Sequence, residues 1–304
     1  MLESNKFNFL QISAASENLL QTFSGLRFQV FRLKFRKMPP YPNLISDSVL
    51  IAETIALLQS LGGQASVVEV VDSVMKIRRP EANLAKLLVS DLVETDPRLV
   101  LREETLELVA PVNDSRTLLE KDFVVFDLET TGAKCPPCRV TEIGAYMVRN
   151  GMIVDEFQTL INPETYIPPF ITQLTGISDA MVKNAPKFRQ IAADFLDFIG
   201  DAVLVAHNAS FDMRFLNHEV GMVYNKYRVA NQHLCTVQLS RRLVTNVENH
   251  KLSTLSEHFA IDIGRHHRAA YDAHATAKIF INLLNQMNDL GVKDLEAARK
   301  VKVG

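Results

Sequence analysis

Phe123-Val124-Val125-Phe126-Asp127-Leu128-Glu129-Thr130-Thr131-Gly132 is the stretch that most restricts what this chain can become. Four apolar residues run into two acids that are separated by one residue. Side chains two apart on a strand share a face. Asp127 and Glu129 therefore stand together at the end of a buried strand, where taking two negative charges out of water is costly. A divalent cation is the natural counter-charge. Thr130-Thr131-Gly132 then gives a tight turn with backbone amides beside the acids.

Downstream of this strand, the chain has the periodicity of a mixed sheet covered by helices, an α/β fold. Val140 to Val148 reads as the second strand, Asn150-Gly151 as a hairpin turn, and Ile153 to Ile161 as the third. Pro168-Pro169 precedes a short helix ending near Leu174-Thr175-Gly176-Ile177. Ala192 to Ile199 is helical, and Ala202-Val203-Leu204-Val205-Ala206 has the wholly apolar pattern of a strand inside a sheet. Helices are expected at about 211–220, 236–243, 252–260 and 269–287.

Upstream, Ser46 or Asp47 can cap a helix that Gly62-Gly63 ends. Ser66 opens a second helix and Pro80 a third. Two short apolar runs around Arg102-Glu103-Glu104-Thr105 then read as a β-hairpin. Three short helices and a hairpin resemble a winged-helix domain, a type that often docks on DNA. Here the third helix carries Glu81, Asp91 and Glu94 as well as Lys86, so a protein-contact or packing role competes with DNA binding. Ahead of it, Arg27 to Lys37 interleaves cations with Phe. That pattern is either a nucleic-acid arm or, more simply, a weakly structured segment or sequence upstream of a start at Met38. The expected organisation is an extension at 1–43, the winged-helix-like domain at 44–112, a linker at 113–120, the α/β domain at 121–290 and a tail at 291–304.

Two further acids belong with the first pair. Val205-Ala206 runs into His207-Asn208-Ala209-Ser210-Phe211-Asp212, which puts Asp212 in the first turn of a helix, where an acid suits the dipole. His267 and Asp272 are five apart at the entrance to the last long helix, which fits a histidine at the entrance with the acid one turn inside. All-carboxylate sites select hard, oxygen-preferring cations, above all Mg²⁺ or Mn²⁺.

Asp127-x-Glu129-Thr-x-Gly, His207-Asn208-x-x-Phe211-Asp212 and His267-x4-Asp272-Ala273 together resemble the three motifs of the DEDD superfamily of 3′–5′ exonucleases, in its histidine-containing DEDDh branch. Leu174-Thr175-Gly176-Ile177 and Ala185-Pro186-x-Phe188 match further landmarks of that group. The resemblance covers about residues 121–290, is similar to the proofreading exonuclease domains of bacterial replicative polymerases, and implies a ribonuclease H-like mixed sheet. It implies a two-metal phosphodiester hydrolase with two Mg²⁺ (or Mn²⁺). Asp127 would bridge the metals, Glu129 and Asp272 would hold the one nearer the water, and Asp212 would support the other. His267 would be the general base, favoured over His266 by its offset from Asp272. Thr130, Thr131 and Gly132 would receive the 3′-terminal nucleotide, and His207, Asn208 and Phe211 would line the strand's path. The substrate implied is a single-stranded or frayed 3′ end, DNA in preference to RNA, with a polymerase or repair partner. An exoribonuclease is the alternative within the class. A DNA-binding scaffold carrying a relic nuclease fold is the alternative outside it, although every ligand position is filled.

Composition narrows the setting. A net charge of -2 argues against wholesale electrostatic capture of nucleic acid but not against a local basic patch. No apolar run is long enough for a membrane span, and no signal-peptide pattern opens the chain. Three cysteines point to a reducing cytoplasm. Cys135-Pro136-Pro137-Cys138 can be half a zinc site or a redox pair, but without a second such motif it reads as a variable loop. Glu142 reads as support for the acids, His274 and Tyr271 as packing residues, and Arg241-Arg242, Arg299, Lys300 and Lys302 as solvated cations able to touch phosphates.

Overall fold

The computed structural model describes residues 41–109, 116–264 and 267–302. The Phe-rich basic stretch at 27–37, most of the 1–43 extension, the start of the 113–120 linker and His266 lie outside them.

A short strand β1 (Leu44–Ser46) leads into α1 (Val49–Ser60), β2 (Gln64–Ser66), α2 (Val67–Ser73), α3 (Ala82–Val93), β3 (Leu99–Arg102) and β4 (Thr105–Leu108). The serine expected to open the second helix does so, its hydroxyl accepting from Glu69 N at 3.2 Å. β3 and β4 form the anticipated hairpin, with Glu103 left-handed in its turn. Strand β2, too short to signal itself in sequence, pairs antiparallel with β4 and completes a three-stranded sheet. Ile51, Leu58, Val70, Val89, Leu99 and Leu106 make this module's own core.

The larger domain is a five-stranded mixed sheet flanked by helices. It comprises β5 (Phe123–Thr130), β6 (Val140–Arg149), β7 (Met152–Leu160), α4 (Pro169–Thr175), α5 (Asp179–Val182), α6 (Phe188–Ile199), β8 (Val203–Ala206), α7 (Ala209–Tyr224), β9 (Tyr227–Val229), β10 (His233–Cys235), α8 (Thr236–Leu243), α9 (Leu252–His258), α10 (Ala269–Asp289) and α11 (Leu295–Lys300). The sheet order is β10-β8-β5-β6-β7, antiparallel along β5-β6-β7 and parallel along β5-β8-β10. Central β5 is covered on both faces, so its run Phe123 to Phe126 is wholly buried. One face packs on α6 and α7 through Phe195, Phe215 and Leu216, and the other on α8 and α10 through Leu239, Phe280 and Leu283. Gly176 closes α4 at φ 73°, a left-handed position that glycine takes without a Cβ penalty.

The two parts meet more closely than a composition break suggests. β1 pairs antiparallel with β9 of the larger domain, Leu44 opposite Val229, and Leu44 is buried in that domain's core. Asn43 Nδ2 donates to Leu196 O at 2.8 Å and Gly200 O at 3.0 Å. The stretch read as tail also folds: Leu295 and Ala298 of α11 are buried beside Leu118, whose amide donates to Lys293 O at 2.9 Å. Among the described residues no helix is long and apolar enough to cross a membrane, and Cys135, Cys138 and Cys235 are free thiols.

Candidate active site

Three connections converge on the carboxyl end of β5. Its register sets Asp127 opposite Gly144 and Glu129 opposite Glu142 on β6. On its other side β8 runs parallel, so the chain leaving Ala206 turns at Asn208, which is left-handed at φ 75°, and enters α7 over the same end of the sheet. Asp212, 2% exposed, lies one turn into α7, and its Oδ1 accepts from Leu128 N at 3.2 Å. Leu128, between the two acids of β5, thus gives its amide to the third.

The fourth acid arrives through glycine. A Cβ on Gly144 would come within 2.4 Å of Ala269 C and O and Ala270 N. The start of α10 therefore rests directly on the β6 backbone, next to Asp127. Glu142 fixes the same junction: it binds Arg268 Nη2 at 2.6 Å and Nε at 3.0 Å, and accepts from Ala269 N at 2.9 Å. This charge-assisted fork is of the strong kind. His267 is left-handed at φ 59°, and its amide donates to Asp272 Oδ2 at 2.9 Å. The five-residue offset seen in the sequence is thus a turn closed by the acid itself.

One carboxylate oxygen from each of Asp127, Glu129 and Asp272 lies within 4.8 Å of the others. Asp127, His207, Lys251, His267 and Asp272 line a cleft of about 500 Å³ beside them. The electrostatics reflect that crowding. Burial first, then Asp212, Glu129 and Asp272, holds the Asp127 carboxyl well above the usual carboxylate range. Burial, then Asp272 and Glu142, pushes Glu129 up to about 8. Burial pushes Asp212 to about 8, against the hydrogen bonds it accepts. Such groups hold protons unless something else supplies positive charge. An all-oxygen donor set at this separation fits hard divalent cations, which take carboxylate and water ligands.

The remaining expected site residues surround this cluster or pack beside it. His207 shares a 2.9 Å hydrogen bond between Nδ1 and Thr236 Oγ1, and burial brings its pKa down to about 4, so it is neutral near pH 7. Asn208 is exposed beside it. Phe211 packs on Phe215 in a tilted contact with ring centroids 4.9 Å apart and lies under the Arg214 guanidinium. Thr130 Oγ1 donates to Gly132 O at 2.8 Å, and the Thr131 amide donates to Arg139 O at 2.8 Å. Both side chains are buried, and Thr131 Oγ1 accepts from Arg139 N at 3.0 Å, so bonds within the turn and to Arg139 occupy them. His274 packs on Tyr146 at 5.0 Å, away from the acids.

Several contributors escaped the sequence reading. Lys251 lines the cleft, and Thr236 orients His207. Arg139 makes a fork to Glu219 of α7 at 2.7 and 2.8 Å, and Glu219 also accepts from Val140 N. This pair ties the start of β6 to the helix that carries Asp212. Only Gly144, a glycine inside a strand, left a readable sign, since such a residue often marks close backbone approach.

The exonuclease family profile matches residues 124–280, more than half of the chain. The chain belongs to the exonuclease family. The curated relatives include the DNA polymerase III PolC-type of Caldanaerobacter subterraneus subsp. tengcongensis, 44% identical over 188 residues, which are 62% of this chain and 13% of that protein. The Bacillus subtilis protein of the same name is 39% identical over 178 residues, 59% of this chain and 12% of its own. The exonuclease chain thus spans about an eighth of the length of these relatives. Among solved structures, exonuclease X in complex with 5′-overhanging duplex DNA aligns with TM-score 0.48 and 27% identity, over 59% of this chain and 98% of that one. A 3′-exonuclease solved with a histone mRNA stem-loop aligns with TM-score 0.48 and 21% identity, over 59% and 85%.

Proposed function

We propose that this protein is a metal-dependent 3′–5′ exonuclease that hydrolyses the terminal phosphodiester of a single-stranded or frayed DNA end and releases nucleoside 5′-monophosphates. The observation that carries the reading is the meeting of Asp127, Glu129 and Asp272 within 4.8 Å, in a cleft that His267 also lines. Asp127, Glu129 and Asp272 would hold divalent cations, with Asp212 supporting from α7. Bound there, Mg²⁺ or Mn²⁺ supplies charge stabilisation to the attacking and leaving oxygens of an in-line displacement. His267 accepts the proton of the attacking water, a contribution typically worth about 10²–10⁴-fold. Neutral His207, fixed by Thr236, and Phe211 line the strand's path without adding charge. Glu129 and the Thr130–Gly132 turn bound the 3′-terminal nucleotide.

The PolC-type names of the relatives favour DNA over RNA and a replication or repair setting. We read residues 44–112 as a winged-helix-like module, on the strength of its helix-strand-helix-helix-hairpin order. It positions DNA or a protein partner beside the 121–290 exonuclease domain, with 113–120 between them.

The test is release of mononucleotides from 5′-labelled single-stranded DNA and RNA, side by side, with Mg²⁺, Mn²⁺ or chelator. The reading expects a ladder shrinking from the 3′ end of DNA, a dependence on a free 3′-hydroxyl, and silence with chelator. Faster digestion of RNA moves the function to RNA processing. Retention of DNA without any release leaves a binding module, and activity in chelator removes the metal mechanism.

A further inference from the structure

Arg242 and Arg299 have no part in the acidic cleft and are far apart in sequence. The fold brings both to a small cavity of about 130 Å³ at the edge of the sheet, where Ser210, His233 and Gln238 add polar groups. The cavity is framed by β10, the first two turns of α8, the start of α7, and α11. Among the described residues no carboxylate lines it.

That absence is unusual for this molecule. Arg98, Arg139, Arg149, Arg189 and Arg268 each hold a carboxylate, on Asp96, Glu219, Asp122, Glu164 and Glu142. Arg299 Nη2 instead donates to two neutral acceptors, Gln232 Oε1 at 3.4 Å and His233 O at 3.2 Å. Burial and then the positive charge of Arg299 hold the His233 imidazole below its ordinary pKa. The cavity is therefore cationic, with its positive charge uncompensated by any described lining acid. Two guanidinium forks with a hydroxyl and an amide match the oxygens of a phosphate diester.

Its position supplies the ligand. Ser210 follows His207 by three residues, and three residues of chain span at most about 11 Å. His207 lines the acidic cleft and Ser210 the cationic cavity, so the β8–α7 connection is a wall common to both. The wall between cleft and cavity is therefore short, on the scale of one or two nucleotides of a strand whose 3′ end occupied the cleft.

We propose that Arg242 and Arg299, with Ser210, His233 and Gln238, form a subsite for a backbone phosphate one or two nucleotides upstream of the bond being cleaved. The proposal rests on the nuclease reading and adds a substrate requirement: the subsite favours oligonucleotides over substrates with a single phosphate.

The experiment compares oligothymidylates of increasing length with the p-nitrophenyl ester of thymidine 5′-monophosphate, which has no upstream phosphate. In the Arg242→Ala/Arg299→Ala variant we expect the ratio of kcat/KM for oligonucleotide over ester to fall about tenfold, through KM. The wild-type gain with length should be lost. With chelator present to stop hydrolysis, anisotropy binding should lose about 0.7 from the slope of log affinity against log salt for the loss of one phosphate contact. The paired lysine replacements should recover part of the ratio, which separates charge from folding. An unchanged ratio and salt slope, with the wild type active on both substrates, overturns the subsite alone. A wild type inert on both overturns the nuclease reading and the subsite with it.

Discussion

Gly144→Ala tests how the site is assembled. The added methyl carbon would sit 2.4 Å from backbone atoms of Ala269 and Ala270, where carbon contacts settle near 3.5–4.0 Å. Neither neighbour is a side chain that can swing away, so the start of α10 must lift by about 1 Å or β6 must bend. Overpacking of this kind costs about 1–3 kcal/mol, which for a domain of this size lowers Tm by roughly 2–12 °C. The larger effect is on chemistry. α10 carries Asp272, while Asp127 and Glu129 stay on β5, so the lift opens the triad. A displacement of about 1 Å can cost about 10²-fold in rate. Mononucleotide release at saturating Mg²⁺, measured beside a thermal melt, should show the rate falling about 100-fold while the protein remains folded. Activity within threefold of wild type would refute the idea that this backbone contact sets the acid spacing.

The same geometry sets other outcomes. Asp212→Asn removes one of the charges that raise the pKa of Asp127, so nucleotide release should fall at least about 100-fold while metal-free Tm at pH 8 holds or rises; a large loss of Tm would contradict it. Glu129 and Asp212 have folded pKa values near 8, above their unfolded ones. The metal-free fold therefore binds extra protons, and the stability this confers is lost as pH rises from about 4 through 8. Mg²⁺ should accordingly raise Tm little at pH 5.5 and clearly at pH 8.5, read by differential scanning fluorimetry. His207 has the reverse sign: with a folded pKa near 4, its contribution is complete above its ordinary 6.5 and fades as pH falls toward 4, so His207→Gln should flatten the acid limb of a stability profile. Arg139→Ala strands Glu219, 1% exposed, and should cost about 3–5 kcal/mol by urea titration.

How much was legible depended on distance along the chain. The Asp127/Glu129 pair, the wholly apolar β8 and the long helix from Ala269 all announce themselves within one strand or a few helical turns, because period and face are local properties. Asp212 and Asp272 were readable as candidates for the same reason: each opens a helix right after a marked turn. Thr131 was a different case, since the sequence suggested a free amide and the structure gives it to Arg139 O, a residue eight positions on. Strands β1 and β10, three residues each, carry too little periodicity to be seen.

The sequence alone determined which chemistry was available: carboxylates and imidazoles beside a buried strand. Tertiary structure decided which of those groups meet. It laid α10 on Gly144, turned Glu142 and Arg268 into the clamp that holds Asp272 in place, and gathered Arg242 with Arg299 at one sheet edge. Such meetings depend on strand order and close backbone approach between segments far apart in the chain, 127 residues for Glu142 and Ala269. A linear pattern marks at most one side of such a contact, as Gly144 does, because burial against a distant partner is a property of the folded chain.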